Sequence, residues 1–193
     1  AIKPFVCNAR YCLLSSISVY GFDQSYVSSR IVPVPSNAYG HSKLFKELYF
    51  SSLLRSGYIK TLSIIRPTGV LGPSMGNTFV RRVISSACLN EPINIYSFDA
   101  RFNSIVFVDD LIKLILMAFD SGSDRILFAG SYESIPLLEL CEMVVRYCES
   151  TSTILERKQG RPPYFLDLKN CNYSHFLRST VNCMQVSLPY ILS

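Results

Sequence analysis

The sequence predicts an α/β fold built on a parallel, doubly wound sheet. Three observations carry that prediction. Apolar runs of strand length alternate with amphipathic stretches of about ten to fifteen residues, the mark of strands joined by crossover helices. Several of those runs end in small polar residues or in Pro, as buried strands do where they emerge from a sheet. With 49% apolar and 17% charged residues among 193, a sizeable core can form and global disorder is excluded. The length suits one domain with a small appendage.

The elements follow in order. Arg10 to Ser15 reads as a buried strand. Ser36 or Asn37 can cap a helix running through Lys43, Leu44, Glu47, Leu48 and Leu53 to Arg55, with Gly57 as its stop. Thr61 to Ile65 is a second strand, ended by Arg66 and Pro67. The spacing predicts a helix over Phe79 to Leu89, then short strands over Ile93 to Tyr96 and Ser104 to Val108. Asp109 to Asp120 is a helix whose first-turn acids suit the helix dipole. Arg125 to Ala129 is a strand and Pro136 to Cys148 an amphipathic helix. From Ser150 onward the periodicity weakens and predicts no element. There is no internal repeat and no low-complexity tract. Doubly wound sheets place ligands at the carboxyl ends of their strands. The loops after Ser15, Arg66 and Val108 are therefore where chemistry is expected.

Charge and cysteine usage narrow the function classes. The 19 basic and 14 acidic side chains leave a net charge of +5. That suits an anionic small ligand and is too diffuse to indicate nucleic acid. No apolar run approaches the ~20 residues of a membrane span. The stretch Leu111 to Phe119 is interrupted by Lys113 and reads as a buried helix. No signal-peptide pattern follows Ala1. The seven cysteines contain no CxxC pair and only His41 and His175 could assist them, so no metal site is expected. They read as reduced, mostly buried thiols of a cytoplasmic protein.

Tyr39 and Lys43 stand four apart at the start of a predicted helix, which places them on one face, a turn apart. A phenol with a pKa of about 10 is a poor base at neutral pH. A neighbouring ammonium favours the phenolate, and lowering the pKa by ~2–3 corresponds to roughly 3–4 kcal/mol. Such a Tyr could exchange a proton with a sugar hydroxyl or carbonyl. The pattern is short, and a surface Tyr beside a solvated Lys would look the same. His41 falls off the reactive face, and dipole complementation accounts for Asp109 and Asp110 better than metal binding.

Three further blocks accompany the pair. Ser15-Ser-Ile-Ser-Val-Tyr-Gly21 and Arg66-Pro-Thr-Gly-Val-Leu-Gly-Pro73 each follow a predicted strand, and Asn103 to Leu111 spans a third strand and its Asp pair. In order and spacing the four blocks resemble the extended short-chain dehydrogenase/reductase family, in its nucleotide-sugar epimerase/dehydratase branch. The resemblance covers about residues 10 to 145. It implies the C-terminal part of a Rossmann-like sheet with a small C-terminal substrate-binding subdomain. Residues 1–75 would be what remains of a dinucleotide-binding domain. Residues 76–193 would be mostly substrate-binding, with 101–130 returning to the main sheet.

The resemblance also implies roles. Ser16 would hydrogen-bond the reacting sugar oxygen, Tyr39 would be the acid/base, and Lys43 would hold the nicotinamide ribose and assist Tyr39. Pro67 and its neighbours would line the nicotinamide of NAD or NADP. Ser18 would contact the hexose, or serve only as a turn cap. Asn77 would touch sugar or phosphate, or cap the following helix. The implied activity is hydride transfer at a sugar carbon, by an epimerase or a keto-sugar 4-reductase acting on a nucleotide-sugar, with a homodimer conceivable. A non-catalytic ligand- or partner-binding module of the same fold is the alternative.

Three departures qualify those expectations. No strand–GxxGxxG–helix unit for the cofactor pyrophosphate is present, so the chain reads as the C-terminal part of such an enzyme, inactive by itself. Asn103 stands where the family carries an Arg for the diphosphate, and Gly69 where it often has Asn. Arg101 could reach the same space, and Arg157 or Lys158 matches loosely a late basic position; either could equally be a solvated charge. Finally, Ile17 and Ser18 occupy the positions where sugar 4,6-dehydratases carry an Asp-Glu pair, which argues against water loss.

Overall fold

The computed structural model describes residues 9–21, 26–28, 30–158, 163–168 and 171–192. In chain order the elements are β1 (Ala9–Leu14), β2 (Tyr26–Val27), α1 (Ala38–Arg55), β3 (Ile59–Pro67), β4 (Gly69–Leu71), α2 (Phe79–Cys88), β5 (Ile93–Ile95) and β6 (Arg101–Phe102). There follow β7 (Ile105–Phe107), α3 (Val108–Ser121), β8 (Arg125–Ala129), β9 (Ile135–Pro136), α4 (Leu137–Tyr147), β10 (Ile154–Glu156), β11 (Phe165–Leu166) and α5 (Thr180–Leu192).

The main sheet is β1-β3-β8, parallel throughout, with Leu14 beside Ile65 and Ile65 beside Leu127. Alternate residues of β3 face opposite layers, as strand geometry requires. Leu62 and Ile64 join Leu53 of α1, while Ile65 packs with Leu111, Leu114 and Ala118 of α3. The sheet is therefore covered on both faces, the doubly wound arrangement the sequence predicts. A second region is built from short strand pairs and three helices. Val80, Val83, Ile84 and Ala87 of α2 meet Leu140 and Val144 of α4 and Met184 and Leu188 of α5 in one apolar cluster, with Ile93 and Ile95 of β5.

Helix α1 begins where its cap dictates. The Asn37 side chain accepts the Gly40 amide at 2.8 Å. It ends at Gly57, whose φ of +69° lies in the left-handed region that glycine enters without a Cβ penalty. The cysteines depart from expectation. Among the described residues Cys141 and Cys183 are buried, Cys12, Cys148 and Cys171 half-buried and Cys88 exposed, because Cys88 closes α2 at the surface. Cys7 lies outside the described residues. No helix among the described residues is long and apolar enough to cross a membrane.

Candidate active site

The site grows from the tip of β1. The Ser15 amide extends the ladder onto the Ile65 carbonyl at 2.8 Å. Ser16 then caps a single 3-10 turn over Ile17–Val19, its Oγ accepting the Ser18 amide at 3.1 Å. The cap is Ser16, not Ser18, so the Ser18 side chain is free of that duty. Ser15 is only 3% exposed, and its Oγ is the one buried side-chain polar atom among the described residues without a hydrogen-bond partner.

The first turn of α1 is pressed onto this tip. A Cβ on Gly40 would fall 2.2 Å from the Ser18 carbonyl oxygen, so only glycine permits the approach. Lys43 thereby reaches the strand end. Lys43 Nζ lies 5.4 Å from the Tyr39 ring centroid and donates to the Leu14 carbonyl at 3.2 Å. The Tyr39 side chain stands largely open, with the residue 55% exposed.

Behind them lies a buried lock that sequence reasoning missed. Arg66 donates from Nε to Glu47 Oε1 at 3.0 Å, from Nη2 to Glu47 Oε2 at 2.6 Å and from Nη1 to the Tyr20 hydroxyl at 2.6 Å. Glu47 sits one helical turn beyond Lys43, so the bidentate pair ties the motif helix to the end of β3 and to the Val-Tyr-Gly block. Burial and the approach of Glu47 push Tyr20 up from its ordinary value of 10.0, against the lowering effect of Arg66. The clue in the sequence was Glu47 itself, an acid on the inward stripe of an otherwise apolar helix face.

A cleft of about 630 Å³ opens from Ser16 and Ser18 toward the second region. Thr68, Gly69, Asn77 and Ser104 line it, with Arg82 and Arg157 as its cations and Phe79, Tyr96 and Phe102 as aromatic walls. Among the described residues no carboxylate lines it. Asn77 is there as a lining residue and not as a cap: Thr78 Oγ1 caps α2 by accepting the Arg81 amide at 3.2 Å. Arg157 is held by Nε donating to Asn94 Oδ1 at 3.3 Å and by its amide donating to the Ile95 carbonyl at 2.7 Å. Arg82 was not foreseen; it reaches the cleft because α2 is amphipathic and turns that edge outward.

Four of the expected residues, Tyr39, Lys43, Pro67 and Arg101, do not line the cleft. Pro67 ends β3 opposite Ala129, and its successors Thr68 and Gly69 are the ones that line the cavity. Arg101 pairs opposite Pro136 in the β6–β9 ribbon, which turns Phe102 toward the cleft and Arg101 away. Its guanidinium donates to Ser134, from Nε to Oγ at 3.0 Å and from Nη2 to the carbonyl at 2.5 Å, beside a separate cavity of about 340 Å³. Asn103 is buried, and its amide is spent on the backbone: Nδ2 donates to the Leu166 carbonyl at 2.9 Å and Oδ1 accepts the Leu166 amide at 2.8 Å. Ser104 donates to the Tyr164 carbonyl, and the Tyr164 hydroxyl donates to the Tyr20 carbonyl at 2.8 Å. These bonds anchor residues 163–168, of which Pro163 and Tyr164 line the cleft.

Residues 5–130 match the model of the NAD dependent epimerase/dehydratase family, about two thirds of the chain. The chain belongs to that family. None of the curated proteins compared with it matches. Among solved structures, it is similar to a UDP-glucuronic acid 4-epimerase from Bacillus cereus in complex with NAD, at 21% identity and a TM-score of 0.74 over 94% of this chain and 60% of that one. A UDP-N-acetylglucosamine 4-epimerase from Methanobrevibacter ruminantium M1, in complex with UDP-N-acetylmuramic acid, is similar at 18% identity and a TM-score of 0.74, over 93% and 61% of the two chains. MoeE5, in complex with UDP-glucose and NAD, is similar at 18% identity and a TM-score of 0.74, over 94% and 64%. These likenesses show the fold. The chain spans less than two thirds of the length of each.

Proposed function

We propose that this chain carries the proton-transfer and substrate-binding sector of a nucleotide-sugar 4-epimerase or keto-sugar 4-reductase. The observation that carries the reading is the cleft itself. Serine and threonine hydroxyls, two amides, two guanidiniums and four aromatic rings converge there with no carboxylate among the described lining residues. A sugar needs the first, a diphosphate the guanidiniums and a nucleobase the rings. The family names NAD, and the strand tips fit the ribose and nicotinamide end of it. Lys43 offers an ammonium there, and the buried Ser15 hydroxyl, otherwise orphaned, offers a polar partner.

When bound, NAD takes up or returns the hydride at the sugar carbon. The chain's own residues do the rest. Ser16 orients the reacting sugar oxygen from the cleft's edge. Tyr39 receives or returns that oxygen's proton, and the Lys43 ammonium stabilises the charge on the phenol oxygen as the proton moves. Arg157 and Arg82 take the diphosphate, the work the family gives to an Arg at the position of Asn103. Ile17 and Ser18 supply no carboxyl pair for eliminating water, which favours epimerisation or reduction over dehydration. In this reading residues 1–75 supply the hydride-transfer side and most of 76–193 the substrate side, with β8 returning to the main sheet. These 193 residues hold no glycine-rich pyrophosphate turn, so they are expected to show no turnover alone.

The test is C4 epimer interconversion, followed by proton NMR on UDP-sugars with NAD in the complete enzyme. Tyr39→Phe should cut the rate by 10²-fold or more while the substrate Kd stays within a few-fold. An undiminished rate in that variant overturns the reading. The binding-module alternative draws on the open Tyr39 ring and on a cleft formed by these residues without a cofactor lobe. UDP-sugar binding that needs Arg82 and Arg157, with no hydride transfer in the complete protein, would select it.

A further inference from the structure

The motif residues do not use the far ends of α2 and α4, where two thiols meet. Cys88 is the last residue of α2, and Cys148 caps the C-terminus of α4. Their sulfurs lie 3.9 Å apart although 60 residues separate them in sequence. We propose that Cys88 and Cys148 form a redox-active dithiol, oxidised to a disulfide by a peroxide, which staples α2 to α4.

The surroundings are built for that closure. Asn90 Oδ1 accepts the Thr151 amide at 2.8 Å, with Ser150 and Thr151 hydroxyls at 3.1 Å. Ser152 donates to the Ser86 carbonyl at 3.2 Å, and the Ile93 amide donates to the Thr153 carbonyl at 2.8 Å. The loop after Cys148 is thus fastened to the loop after Cys88, and the two helix ends share one frame. A disulfide needs sulfurs ~2.05 Å apart. Cys88 is exposed, so its side chain has room to rotate toward Cys148. None of the other four described cysteines shows such a neighbour.

The chemistry balances with hydrogen peroxide as oxidant. The exposed Cys88 sulfur attacks one peroxide oxygen; the S–O bond forms, the O–O bond breaks, and hydroxide leaves to become water with the thiol proton. Cys148 then attacks the Cys88 sulfur; the S–S bond forms, the S–O bond breaks, and a second water leaves with the Cys148 proton. Both sulfurs are oxidised and both peroxide oxygens reduced. Burial and the neighbouring Cys88 push the Cys148 thiol up to about 11, so its thiolate is scarce at neutral pH and the second, intramolecular step should speed up as pH rises toward that value.

The test is hydrogen peroxide treatment of the purified native protein, quenching of free thiols with N-ethylmaleimide, and tryptic mapping without reductant. Cleavage after Arg82, Arg101, Arg146 and Arg157 places the two cysteines in peptides 83–101 and 147–157, neither of which holds another cysteine. The expected result is one dominant cross-linked pair of those peptides, two fewer maleimides on the intact protein, and loss of the pair when oxidation is done in guanidinium. Cys148→Ser should instead leave Cys88 as a sulfenic acid trapped by dimedone. Native oxidation that leaves the two peptides unlinked, or joins either to a different cysteine, overturns the proposal.

Discussion

Behind the tips of β1 and β3 a buried lock joins side chain to side chain; across the cleft, at Asn103 and Ser104, side chains hold backbone. The first region interlocks through Arg66, Glu47 and Tyr20, three charged or phenolic groups buried together. The second is tied by Asn103 to both polar groups of Leu166 and by Ser104 to Tyr164. Residue identity is dictated at both ends of the Arg66 lock and at one end only of the Asn103 and Ser104 clamps. The motif-bearing wall should therefore be brittle to substitution, and the opposite wall tolerant except at its few clamps.

The largest break is expected at Glu47. Glu47→Ala leaves the Arg66 guanidinium buried without its carboxylate, which costs about 3–5 kcal/mol. Glu47→Gln keeps the shape and one hydrogen bond and should recover part of the loss. Urea unfolding of both variants measures the difference. An alanine variant as stable as the parent would remove the lock from the account and with it the contrast between the walls.

An alkaline titration probes the opposite wall. Burial pushes the thiols of Cys141 and Cys183 from 9.0 up to about 12. Both belong to the cluster beneath the second region. Their folded pKa values exceed the unfolded ones, so the stability they protect is intact below pH ~9 and is lost progressively as pH rises toward about 12. At pH 10 the loss is roughly 1.4 kcal/mol per thiol, near 3 kcal/mol for the two. Cys141→Ala and Cys183→Ala should flatten the alkaline limb of stability against pH, although each starts from a lower plateau because of its cavity.

The same contrast explains how much was legible in the sequence. The main strands and helices α1 to α4 fall within two residues of the expected bounds at nearly every end, because their apolar spacing and caps are local properties. Lys43 and Ser16 could be placed at a strand tip for the same reason. The glycine at position 40 could not be read as a contact, since its reason is the Ser18 carbonyl on another element. Strands β2, β4, β6 and β9 have two or three residues each, too few to show a period. Helix α5 has no charged residue and carries Pro189, so neither amphipathic spacing nor end charges announce it. Arg101 and Asn103 were read by position in a motif, and a strand of two residues followed by an irregular step decided instead which way each side chain points.

Asn103 gives the finest probe of the comparison. Asn103→Ala frees the amide and carbonyl of Leu166 in a buried setting, at about 1–3 kcal/mol. It should also loosen residues 163–168, so that Pro163 and Tyr164 no longer form a fixed wall. Amide hydrogen exchange at Leu166 should accelerate, while exchange along β1 and β3 stays unchanged. UDP-sugar affinity should fall a few-fold as the wall loses its order. Asn103→Asp separates the two clamps: it keeps the acceptor for the Leu166 amide but sets a carboxylate against the Leu166 carbonyl, where Nδ2 donated. If aspartate protects Leu166 exchange better than alanine does, the accepting bond is the stronger clamp. If the two variants exchange alike, the retained acceptor does not hold the wall by itself, because aspartate both loses the Nδ2 donor and repels the Leu166 carbonyl.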